Sequence, residues 1–125
     1  MTFEDTIRNR IRETTLGEAR LHADAKKVDE QDVEIFAAML YALMRAGARR
    51  EGPEGMRDAF MHFAAGARWE TSSDEELQLV RGALLAAMDR FAIEAHSLRV
   101  YFEAVETAQL SEEEASERGM GVLEN

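Results

Sequence analysis

Cysteine is missing from this 125-residue chain, and proline occurs once, at Pro53. Without cysteine there is no disulfide framework, thiol nucleophile or thiolate metal site, a usage that fits a reducing compartment. With a single proline, little in the sequence forbids helix, because proline is the residue that removes a helical N–H and clashes with the preceding turn. β-Branched residues are sparse. Ala, Leu, Met, Glu and Arg dominate instead, the set that loses least on entering a helix. No stretch approaches the roughly 20 apolar residues of a membrane span. The amphipathic start MTFEDTIRNRIRETT also lacks the apolar centre of a signal peptide. A cytoplasmic protein without membrane contact is therefore expected.

Positive charge is also short. Fifteen Lys and Arg face 25 Asp and Glu, for a formal net charge of −10. Direct binding to nucleic acid is not expected, since it relies on clustered cations displacing counterions from phosphates. Solubility, or attraction to a basic partner, is the natural consequence of such a balance.

What remains is a helical pattern. Thr2 caps a first helix with Phe3, Ile7 and Ile11 at spacing four. TTLGE either interrupts it, with Thr15 and Glu18 at capping-box spacing, or lies in one continuous helix to about residue 27. Asp29 caps the next helix, with Glu30 and Asp32 at its start and Arg45, Arg49 and Arg50 at its end, each sign where the helix dipole favours it. EGPEG is the clearest break. A shorter helix over 54–69 follows, and Ser73 with Glu76 opens a long one from about 74 to 108. Ser111 caps a short acidic helix that Gly119 is expected to close. The fold class is thus all-α, a compact four- to five-helix bundle with one long helix in the C-terminal half. Residues 1–118 make a single helical domain and 119–125 a flexible tail.

On a wheel at about 100° per residue, the long helix carries a core stripe that includes Phe91, Ala95, Leu98 and Phe102. A second apolar stripe of Leu79, Ala86, Ile93, Val100 and Ala104 lies nearly opposite. Asp89, His96, Arg99 and Glu103 occupy the flank between. The helix at 30–48 shows the same excess in Ile35, Met39 and Ala42. A small bundle has room for about one central helix, so two such helices point to a shared surface, most simply a symmetric homodimer. Ile35, Met39, Leu79, Ile93, Val100, His96 and Arg99 form the expected interaction surface.

Each histidine has a carboxylate at helical spacing: His22 with Glu18, His62 with Asp58, and His96 with Asp89 and Glu103. In a chain with 25 acidic residues that is close to chance, and such pairs are ordinary helix-surface contacts. No Glu-x-x-His pair and no His-Glu-x-x-His stands in the sequence. Asp58, His62 and His96 are the residues to inspect for a metal, but no cofactor, metal or catalytic site is expected. Arg8, Arg10 and Arg12 are diluted by Glu4, Asp5 and Glu13 into a surface of mixed charge. The resulting expectation is a non-enzymatic regulator, inhibitor or adaptor acting through contact with itself and an unidentified protein partner. The alternatives are an acidic inhibitor of the phage type that occludes a nucleic-acid-binding protein, and a ligand- or metal-binding bundle.

Overall fold

The computed structural model describes residues 2–22, 30–55, 58–59, 75, 82 and 86–124. Among them the protein is all-α. The elements are α1 (Phe3–His22), α2 (Glu30–Ala48), α3 (Ala92–Phe102) and α4 (Glu112–Glu124). A 3₁₀ turn at Asp89–Phe91 leads into α3 and a π turn at Glu103–Thr107 leads out, so residues 86–107 form one joined helical run. Apart from residues 75 and 82, the part of the expected long helix before Ala86 lies outside the described residues, as does most of the expected helix at 54–69.

The N-terminus of α1 is fixed by a reciprocal cap. Thr2 N–H donates to Asp5 Oδ2 at 3.1 Å, and Asp5 N–H donates to Thr2 Oγ1 at 3.1 Å. The stripe at spacing four then points inward, with Phe3, Ile7 and Ile11 all buried. The helix runs unbroken through TTLGE to His22, with Gly17 on its exposed side, and the expected continuation to about residue 27 lies outside the described residues.

α2 lies between α1 and α3 and is buried around most of its circumference. Leu40, Leu43 and Met44 belong to the expected stripe, yet Met39, Tyr41 and Ala46 are buried as well. This helix ends one turn before the glycines. Arg50 N–H donates to Gly47 O and Glu51 N–H to Ala46 O, each at 3.1 Å, and Arg50 itself takes the left-handed conformation at φ 57°. This is a Schellman closure with arginine in the position that glycine usually fills. Gly52, at φ 79°, then turns the chain into the helical residues 52–55.

α4 corrects the expected end of the chain. Gly119 does not close it; the helix continues to Glu124, and Met120 and Leu123 pack on the core. Gly119 is instead a point of close approach. A Cβ there would lie 2.5 Å from Phe3 Cζ, and the Gly119 carbonyl accepts a 2.7 Å hydrogen bond from the buried Ser97 hydroxyl. The short connection through Gln109, itself left-handed at φ 55°, folds α4 back along α3.

That packing accounts for part of the second apolar side of the long helix. Phe91, Leu98 and Phe102 are buried as expected, but so are Glu94, Ser97, Tyr101 and Ala104. Together they span roughly 160° of the wheel, because α2 covers one edge of the arc and α4 the other. Ala104, placed on the second stripe from sequence, therefore belongs to the internal core. Replacing Gly119 by Ala forces its methyl into the Phe3 ring. The expected loss is about 1–3 kcal/mol of stability, read as a lower urea midpoint with unchanged slope. An unchanged midpoint would show that the contact relaxes freely.

Candidate functional site

The expected interaction residues separate in the structure. Leu79 and His62 lie outside the described residues. Met39 is fully buried between α1 and α3 and is not available to a partner, a correction whose cause is the central position of α2. Ile35 is half-buried against the core. Ile93 is 55 % exposed, and it is the exposed large apolar residue among those described. His96 and Arg99 are exposed beside it and Val100 is half-buried. Ala86, Ile93 and Val100 recur every seven residues, so they form one stripe along the run.

The surroundings of Ile93 follow from α4. Gly119 sits level with Ser97, and α4 runs antiparallel to α3 from there, so its last turn reaches only about as far as Ile93. Ala86 and Ile93 are both exposed on that stripe. Glu94, on the inner side of Ile93, is drawn in by Arg10, whose Nη2 lies 3.2 Å from its Oε1. The face is therefore one exposed isoleucine with alanine and valine in line, edged by His96 and Arg99.

Of the candidate metal residues, His62 lies outside the described residues. Asp58 is exposed and His96 is exposed on α3, and among the described residues no group of three His, Cys, Asp or Glu is placed to hold an ion.

A different polar cluster sits between α1 and α2. The Tyr41 hydroxyl donates to Glu4 Oε1, and Arg45 Nε donates to the same oxygen at 2.8 Å. The Arg8 guanidinium lies 4.8 Å from the Tyr41 ring centre, while those of Arg45 and Arg49 lie 5.1 and 5.7 Å from that of Phe102. Burial alone would raise the Glu4 carboxyl, but the hydrogen bonds from Tyr41 and Arg45 outweigh it and hold the group below its usual range. Burial, and then the hydrogen bond to Glu4, push the Tyr41 phenol well above its ordinary range. Both groups are thus moved away from neutral pH, the opposite of what acid–base catalysis needs. The cluster is a brace between helices. Sequence reasoning missed it because Glu4 and Tyr41 stand 37 residues apart, with no local spacing to mark them.

Arg8, Arg10 and Arg12 do not form a basic patch. They reach Asp5, Glu94 and Glu34 respectively, and so make the mixed surface expected of them. No family model matches the chain, nor does any curated protein or solved structure.

Two pH limbs follow from the brace. The folded-state pKa of Glu4 is depressed, so its contribution is complete above the unfolded value of about 4.3 and is lost as pH falls through the lower folded value. The folded-state pKa of Tyr41 is raised, so its contribution is complete below about pH 10 and is lost as pH rises further. Tyr41→Phe should cost about 1–2 kcal/mol near neutral pH and flatten the alkaline loss of stability, measured by urea unfolding at several pH values. An alkaline limb identical to that of the parent chain would refute the brace.

Proposed function

We propose that this chain acts through protein contact rather than chemistry, and that its first partner is a second copy of itself. The observation that carries the reading is Ile93, more than half exposed on a stripe with Ala86 and Val100, at the point where α4 ceases to cover the long helix. Large apolar side chains in register at one edge of a core favour burial against another surface. The strongly perturbed groups, by contrast, are spent on holding α1 to α2.

A two-fold axis is the simplest symmetry for such a contact. Antiparallel pairing of the two long helices sets Ile93 of one protomer against Val100 of its partner, with His96 close to the axis. His96 and Arg99 then form the polar rim, the usual edge of an interface. A regulator or adaptor built this way presents the remaining acidic surface to its further partner, and basic partners are favoured by the net charge of −10.

Light scattering at micromolar concentration tests the reading. The expected species has twice the 14.1 kDa chain mass. Ile93→Glu should reduce it to the monomer with far-ultraviolet circular dichroism unchanged, because the side chain points away from the core. A parent protein that stays monomeric at all concentrations would overturn the proposal.

A further inference from the structure

At the opposite end of α3 from Ile93, the C-terminus of α2, the π turn and α4 enclose a cleft of about 510 Å³. Its walls bring together Arg49 and Arg50 from the end of α2 and Arg118 from α4. Three guanidiniums around one cavity are a local inversion of charge in a chain with 15 basic and 25 acidic residues. Two of them already hold carboxylates from the π turn. Arg50 Nη2 lies 2.7 Å from Glu103 Oε1, and Arg49 Nε lies 2.8 Å from Glu106 Oε1. Arg118 has no such partner among the described residues.

The backbone around the cleft is irregular in a way the rest of the described chain is not. The π turn at Glu103–Thr107 forms one wall, and π turns recur at functional positions in helices. The non-glycine residues with positive φ, Arg50 and Gln109, stand at its two edges: Arg50 lines the cleft, and Gln109 follows Ala108, which also lines it. Such residues are strained, and strain of this kind collects at binding sites as well as at helix ends. The cavity, the unmatched guanidinium, the π turn and the strained residues are separate observations about one place.

We propose that this cleft binds a small organic anion through a carboxylate or phosphate group. The Arg118 guanidinium supplies the free fork, and the N–H donors that Arg49 does not use on Glu106 and Glu51, and Arg50 on Glu103, complete the donor set. Guanidinium matches both kinds of oxyanion through paired N–H donors, and the two carboxylates of the π turn show the geometry that the arginines accept. Glu103 and Glu106 act as internal competitors. They keep the arginines oriented while the cleft is empty and set the threshold that a ligand must exceed.

Calorimetric titration of the full chain at low ionic strength with inorganic phosphate, and separately with citrate, tests this, with chloride at matched ionic strength as the control. Saturable binding of at least one probe is expected; phosphate alone assigns the phosphate class, citrate alone the carboxylate class. Arg118→Gln should weaken binding by about tenfold or more, the effect of losing one charge-assisted contact. Glu106→Gln should tighten it, because it releases the Nε edge of Arg49 while Nη1 stays on Glu51, whereas a merely structural role for Glu106 predicts no gain. Arg12→Gln, a charge-matched change on α1 at a residue outside the cleft lining, should change nothing. Absence of saturable binding at millimolar probe, or binding indifferent to Arg118→Gln, would overturn the proposal, and thermal melts of each variant exclude misfolding as the cause.

Discussion

The position of the Phe3 ring is the constraint on which the described structure depends. The Thr2–Asp5 cap fixes the first turn of α1, and the ring then stacks on Tyr101 with centroids 4.7 Å apart. It also lies against the bare backbone of Gly119, where a larger residue could not fit without moving the ring. One side chain thereby sets the separation of α1, α3 and α4. Tyr101 in turn meets Phe102 edge-on, and Phe102 carries the guanidiniums of Arg45 and Arg49. Arg45 returns to Glu4, the residue after Phe3. The sequence of contacts closes on itself, so the core and the polar brace position each other.

Arginine carries the remaining cross-links in this acidic chain. Arg10 reaches Glu94, Arg12 reaches Glu34, Arg90 reaches Glu18, and Arg49 and Arg50 reach the π turn. Most of these pairs are exposed, and such pairs contribute about 0–1 kcal/mol each. Their main effect is to fix register between helices and to offset the self-repulsion of a net charge of −10. Two described arginines have no carboxylate among the described residues, Arg99 and Arg118. Arg99 edges the Ile93 stripe and Arg118 lines the cleft beside the π turn.

Much of this was legible in the sequence. The all-α class, the spacing of Phe3, Ile7 and Ile11, the caps at Thr2 and Ser111, and the core stripe through Phe91, Leu98 and Phe102 all follow from local periodicity and end chemistry. Local rules fail where a distant element decides. Gly119 has the composition of a helix end, but Phe3 makes it a packing position. Met39 lies off the main stripe of α2, yet a helix with neighbours on both sides buries it. A uniform wheel places Ala104 outward and gives no reason to bury Glu94 or Ser97. The return of α4 widens the buried arc, and Arg10 and Gly119 satisfy the two polar groups within it. Of the candidate site, the Ile93–Val100 stripe was visible as an excess of apolar residues. The three-arginine cleft was not, because Arg118 is separated from Arg49 and Arg50 by most of the C-terminal half of the chain.

The central claim is that α4 uses up only part of the second apolar side of the long helix, and that a second copy covers the rest. The absence of cysteine makes a direct measurement available. A variant with Ile93→Cys and Val100→Cys is oxidised under mild conditions and run without reductant. Within one chain the two positions stand two helical turns apart, too far for a disulfide. Antiparallel pairing predicts a covalent dimer, formed efficiently at micromolar concentration and abolished by dilution before oxidation. A chain that remains monomeric under the same oxidation would contradict the account.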